Sequence, residues 1–191
     1  MKKVYLAGFD VFRADAAEYG QSLKRLCAQF GCEGLYPLDN AAPPGLAGRA
    51  LADWICRANL ALIEQADCVM ANLNPFRGLE PDSGTVFEVG YAVARHKPVW
   101  VYTDQTRPLI EQAGVANRDG QVMDAQGYTV EDFGMNLNLM IGCTTQVVHG
   151  DAQACLQAMV GRTLQTRDRA VASQGSGHFR GDQCRPRFQR L

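Results

Sequence analysis

The sequence predicts an α/β protein, a doubly wound five-stranded parallel sheet in a single domain. Three observations carry this. Continuous apolar runs at Lys3–Gly8, Asp67–Asn72 and Lys97–Tyr102 are of the kind found in strands covered on both faces. Strand-like and helix-like segments alternate along the chain, which in this order means a parallel sheet. At 191 residues with 47% hydrophobic content, there is material for one sizeable core but hardly for two.

The first strand, Lys3–Gly8, is apolar and ends at a glycine. A helix should follow, because Tyr19, Leu23, Leu26, Cys27 and Phe30 repeat at the spacing of one helical stripe and Gly31 stops them. Gly34–Tyr36 reads as a short second strand, leaving through the polar loop that holds Asp39 and Asn40, with Ala42-Pro-Pro-Gly45 as a breaker. The second helix is expected over Ala47–Gln65, with Leu51, Ile55, Ala58 and Leu62 on its buried side and Asn59 near the edge of that face. After the third strand, Asp67–Asn72, a breaker-rich loop, Leu73–Pro81, leads into a third helix; the fourth strand is Lys97–Tyr102. Thr103–Phe133 is polar with scattered glycines and reads as a long excursion, a lid or an oligomer contact. Gly134–Gly142 suggests a short helix or turn, Thr145–His149 a fifth strand, and Asp151 the cap of a last helix built on Ala152, Cys155, Leu156, Met159 and Val160. The domain is expected to span residues 1–164, and residues 165–191, Arg-, Gln-, Ser- and Gly-rich without periodicity, a basic disordered tail.

Composition narrows the chemistry. From Arg162 onward seven arginines face two aspartates, a balance of +5, so residues 1–161 carry −6 of the chain's −1. An acidic globular part disfavours nucleic acid as partner. No apolar run is long enough for a membrane span and the N-terminus turns polar at Asp10, so a cytoplasmic protein is expected. The seven cysteines, odd in number and without C-x-x-C, read as reduced core residues rather than a disulfide frame or a zinc site, and none of the three histidines pairs at the spacing of a metal site. Neither a G-x-G-x-x-G after the first strand nor a Walker sequence is present, so no cofactor is expected.

Ligands in such sheets bind beyond the carboxyl ends of the strands. Asp10, Asp39, Asn40, Asn72, Arg77, Asp82 and Glu88 all follow strand ends, which draws attention to Asp82-Ser-Gly-Thr-Val-Phe-Glu88-Val-Gly90. Two carboxylates six residues apart, one in a turn and one inside a helix, suit chemistry at a sugar carbon. Thr85-Val-Phe-Glu88 also fits a capping box, a purely structural use. Gly90, unfavourable inside a helix, hints at close packing against that turn. Gly8 at the end of the first strand, Phe9 and Arg77 are candidate substrate-binding residues; the 103–134 excursion, Phe9 and Trp54 are candidate walls, and Arg77 is also a candidate partner for Glu80 or Asp82.

Tyr5-Leu-Ala-Gly8, Asn59–Asp67, Ala71–Ala92 and Asn136–Met140, in order, resemble the nucleoside 2-deoxyribosyltransferases. The resemblance implies a flavodoxin-like fold and transfer of a 2-deoxyribosyl group between nucleobases through a covalent sugar ester. It implies Glu88 as nucleophile, Tyr5 as the hydroxyl that orients it and Asp82 as the carboxylate that holds sugar hydroxyls. Asn138 would be lent to the neighbouring site of a homo-oligomer for the 5′-hydroxyl. Asn59 takes a base-recognition position where some members carry Asp, and an amide cannot donate a proton as a carboxylic acid can. The partners implied are deoxyribonucleosides and free purine or pyrimidine bases. Two other readings stand beside it: an N-glycosidase hydrolysing deoxynucleoside monophosphates, and a non-catalytic nucleotide-binding module. For Glu88, a helix start and the Tyr5 hydroxyl favour the ionised form while burial and Asp82 oppose it.

Overall fold

The computed structural model describes residues 1–114, 116–118 and 121–162, so the expected basic tail at 165–191 lies outside the described residues. Strands β1 (Lys2–Gly8), β2 (Cys32–Leu35), β3 (Cys68–Asn72), β4 (Val99–Thr103) and β7 (Gln146–His149) form one sheet in the order β2-β1-β3-β4-β7. Every neighbouring pair is parallel. Strands β5 (Ala116–Arg118) and β6 (Gln121–Met123) make a separate antiparallel pair. The helices are α1 (Ala16–Gln29), α2 (Gly48–Gln65), α3 (Ser83–Ala94), α4 (Leu109–Ala113), α5 (Leu139–Gly142) and α6 (residues 152–162).

Strand alternation divides the core in two. Val4 and Leu6 of β1 join Leu23 and Cys27 of α1 and Cys155 and Leu156 of α6 on one face of the sheet. Tyr5 and Ala7 join Leu62 and Ile63 of α2 and Val89 and Ala92 of α3 on the other. Each large side chain removed from water in this way contributes roughly 1.5–3 kcal/mol, which is why apolar runs with no polar face are used at β3 and β4.

The strand limits follow the prolines. Pro37 has no N–H for a ladder, so β2 ends at Leu35, and Tyr36 opens a 3-10 turn over Pro37–Asp39 in which the Asp39 carboxylate accepts the Tyr36 N–H at 3.0 Å. Pro98 likewise delays β4 to Val99, while its carbonyl accepts the Val69 N–H. The excursion after β4 holds α4 and the β5–β6 pair, and side chains fasten it: Asn136 Nδ2 donates to the Gln105 carbonyl at 2.6 Å, and Gln112 Nε2 to the carbonyls of Arg107 and Asn136. Asp151 caps α6 by accepting the Ala154 N–H at 2.9 Å, as its sequence position suggested.

Cys27, Cys32, Cys68 and Cys155 are free and buried; Cys56 and Cys143 are free and exposed, against the expectation of core positions. Among the described residues no group of three His, Cys, Asp or Glu side chains is placed to hold a metal ion, and no helix is long and apolar enough to cross a membrane.

Candidate active site

Gly8 at the end of β1 lies opposite Asn72 at the end of β3, the two strands flanking the point where the chain changes direction across the sheet. A Cβ on residue 8 would sit 2.8 Å from Asp10 Oδ2 and 3.0 Å from the Asn72 Cβ, so only glycine fits. Beyond this edge opens a pocket of about 400 Å³, a size ordinary for small-molecule sites. Its floor carries Gly8, Asp82, Thr85 and Glu88, its walls Trp54, Ile55 and Asn59 of α2 with Phe12 and Leu38 from the turns after β1 and β2.

Two hydrogen bonds of the pocket converge on Glu88. The Tyr5 hydroxyl donates to its Oε1 at 2.7 Å, and Asn59 Nδ2 donates to the same oxygen at 3.3 Å. Tyr5 sits on the fully buried stretch of β1, so its ring is fixed by the core and its hydroxyl is delivered to one place. Burial and the neighbouring Glu88 push the Tyr5 phenol well above its ordinary value, which keeps it a proton donor. Burial also pushes Glu88 up, to about 7; hydrogen bonds from Tyr5 and Asn59 pull it down, and the Asp82 charge adds to the rise. Of the opposing effects, desolvation is therefore the largest. Both donors converge on Oε1, and no hydrogen bond reaches Oε2 from the described residues.

Asp82, not Thr85, caps α3. Its Oδ2 accepts the Thr85 N–H and the Thr85 hydroxyl, each at 2.9 Å. The capping box suggested for Thr85 and Glu88 is thus not formed: the helix begins three residues earlier, Thr85 is spent on Asp82, and Glu88 is left to the pocket. The close packing inferred from Gly90 is also absent, since a Cβ there would meet nothing within 4 Å among the described residues.

Residues 4–140 of the chain match the sequence family described as nucleoside 2-deoxyribosyltransferase. The chain belongs to the nucleoside 2-deoxyribosyltransferase family. The solved 2-desoxiribosyltransferase from Leishmania mexicana is similar over 84% of this chain and 98% of its own, with 33% identity and a TM-score of 0.69. A conserved protein from Enterococcus faecalis V583 shares the fold at 21% identity and a TM-score of 0.53, covering 87% of this chain and 99% of its own. An uncharacterized protein of Schizosaccharomyces pombe is 31% identical over 155 residues, 72% of this chain and 74% of that protein. The family is one of glycosyl-transferring enzymes that act on nucleosides and bases.

Against this family background the other expected site residues divide. Gly8, Asn59, Asp82 and Glu88 line the pocket and Tyr5 supports it from below. Phe9 does not line it, but stacks on Phe76 at 4.9 Å between centroids, and Phe76 stacks in turn on Phe12 at 5.4 Å. Arg77 makes no ion pair with Glu80 or Asp82; its guanidinium lies over Phe76 at 4.6 Å and Phe12 at 5.3 Å, on a backbone held at a φ of 56°. That left-handed conformation is unusual for a residue with a side chain and suits a tight turn shaped around the aromatic stack. Asn138 is absent from this chain's pocket and caps α5. Asp10 and Asn72 are scaffold, bonded to each other at 2.9 Å, with Asn74 joining Asn72 to Thr103 and the Asp104 backbone.

Ile55, expected in the core, is 45% exposed and lines the pocket. Sequence reasoning does not single out Phe12 and Leu38. The available signal is weak: each follows a strand end, where an apolar residue facing a ligand has the same pattern as one facing the core.

Proposed function

We propose that this protein transfers a 2-deoxyribosyl group between nucleobases through a covalent ester on Glu88, with retention at C1′. The observation that supports it most is the Glu88 carboxylate, oriented through Oε1 by Tyr5 and Asn59 in a nucleoside-sized pocket, with Oε2 left over to attack. Oε2 bonds to C1′ as the C1′–N bond breaks, and the electron pair of that bond goes to the departing base. The nitrogen of a second base then attacks C1′ from the opposite side and Glu88 leaves as carboxylate. Two inversions give retention. The departing base takes one proton from solvent and the incoming base returns one, so complete exchange is proton-neutral and the Asn59 amide is not the acid.

Asp82 holds sugar hydroxyls, and the apolar wall of Trp54, Ile55, Leu38 and Phe12 receives the base and keeps water from the ester. No Lys or Arg lines the pocket among the described residues, and two carboxylates do. That favours a free nucleoside over a nucleoside monophosphate, whose phosphate would be repelled. Asn138 serves the neighbouring subunit's site in a homo-oligomer, a role supported by its absence from its own pocket.

The test is to incubate the protein with deoxyinosine, with and without adenine, and separate the products. Deoxyadenosine formed only when adenine is present is the expected result. Hypoxanthine released at one rate in both tubes, with no new nucleoside, refutes transfer in favour of hydrolysis. Glu88→Ala should abolish exchange and remain folded; retained turnover removes Glu88 from the mechanism.

A further inference from the structure

Asn138 is engaged at both ends of its side chain. Its Oδ1 accepts the Met140 N–H at 3.0 Å, and its Nδ2 donates to Glu131 Oε1 at 2.5 Å. The second oxygen of Glu131 accepts the Leu139 N–H at 3.2 Å. One carboxylate therefore holds both the amide and the backbone that follows it, and the plane of the amide is set. Neither terminal atom is exhausted: Nδ2 has a second hydrogen and Oδ1 a second lone pair. A hydroxyl, which both donates and accepts, is the group that such a remainder fits. Among the described residues Glu131 has no basic partner, so it is not one half of a surface ion pair. Phe133 and Met140, which flank Asn138 in sequence, are 63% and 66% exposed.

We propose that Glu131 is the positioning residue that aims Asn138 at the 5′-hydroxyl of a deoxynucleoside bound in the neighbouring subunit. This rests on the lent role of Asn138 given above. A hydrogen bond to a charged acceptor is stronger than a neutral one, so Glu131 restrains the amide more firmly than water or a neutral side chain would. Correct orientation before the substrate arrives is what makes the remaining donor and acceptor count toward binding.

The experiment compares deoxyadenosine with 2′,5′-dideoxyadenosine as donors, hypoxanthine as acceptor, in the full chain and in Glu131→Ala, Glu131→Gln and Asn138→Ala. The wild type should prefer the donor that has the 5′-hydroxyl. Glu131→Ala should lower kcat/KM for deoxyadenosine roughly five- to tenfold, the worth of one oriented hydrogen bond, and leave the dideoxy donor unchanged. Glu131→Gln keeps an oxygen for Nδ2 but loses the charge and sets an NH2 against the Leu139 N–H, so it should recover only part of the preference. Equal losses on both donors in Glu131→Ala would mean a merely structural role and overturn the proposal. So would an undiminished preference in Glu131→Ala when Asn138→Ala has lost it, although the lent role of Asn138 would then stand. Full preference in Asn138→Ala, or none in the wild type, overturns both assignments while leaving base exchange intact; no exchange from any donor refutes the proposed reaction itself.

Discussion

Replacing Glu88 by Gln should make the protein more stable at alkaline than at acid pH relative to the wild type. Burial raises the Glu88 carboxyl from 4.5 to about 7, so the native state binds this proton more tightly than the unfolded chain does. Between those two values the folded protein holds more protons, and wild-type stability falls as pH rises; below 4.5 the penalty is absent and above 7 it is complete. A displacement of this size corresponds to about 3 kcal/mol. The substituted amide does not titrate, is nearly the same shape as the carboxyl, and keeps an oxygen for the Tyr5 hydroxyl and Asn59 Nδ2. Asp10, whose carboxyl burial also raises, titrates alike in both proteins and drops out of the difference. Urea or thermal unfolding at pH 5, 6, 7 and 8, with reductant present because Cys56 and Cys143 are exposed, reads the gap between the two proteins. It should widen in favour of Glu88→Gln by about 2.5 kcal/mol from pH 5 to pH 8, roughly 5–10 °C in Tm. A gap that stays constant, or narrows toward pH 8, would refute a desolvated Glu88.

On the proposed mechanism the same carboxyl sets the rate. kcat/KM for the donor nucleoside should rise with pH through a midpoint near 7, and Tyr5→Phe, lacking the hydroxyl that pulls the carboxyl down, should move that midpoint higher; a wild-type midpoint near 4.5 would contradict the assignment. Asp82→Ala should lose about 1 kcal/mol by denaturant unfolding through the missing cap on α3, whereas Asp82→Asn, which keeps an acceptor for Thr85, should lose less; both should raise KM for the nucleoside, and equal stability losses would argue against the cap. Gly8→Ala should destabilise by about 1–3 kcal/mol, because the new methyl group meets Asp10 and Asn72 at contact too short to accept; an unchanged Tm would show that this edge yields.

Much of this architecture is legible because the strands are unambiguous. β1, β3 and β4 carry unbroken apolar runs, Val4–Ala7, Cys68–Ala71 and Val99–Tyr102, of the kind found in a sheet covered on both faces, and their ends shift from expectation by no more than one or two residues, with Pro98 accounting for the start of β4. The Glu88 neighbourhood is legible through two strand ends and a helix start. The cap is not: Asp82 and Thr85 are both good cap residues three apart, and which one the helix begins at depends on how the loop from Pro81 enters, a tertiary matter. Ile55 is misplaced for a related reason. Periodicity reports that a helix face is apolar, and cannot report whether protein or ligand lies against it. For Arg77, proximity in sequence suggests an ion pair, but its left-handed backbone turns the guanidinium onto the Phe76 and Phe12 rings instead.

The two halves of the pocket are built to different tolerances. Tyr5 is fully buried, and Glu88 shares its helix with Val89, part of the same core, so changes beneath the carboxylate disturb the fold as well as the chemistry. Leu38, Ile55 and Phe12 are 50%, 45% and 58% exposed, and exchanging one of them removes little that folding depends on. Selection, natural or in the laboratory, can therefore reshape the wall freely while the carboxylate stays put. A library randomised at these three positions should yield mostly folded proteins that differ in what they accept rather than in whether they react.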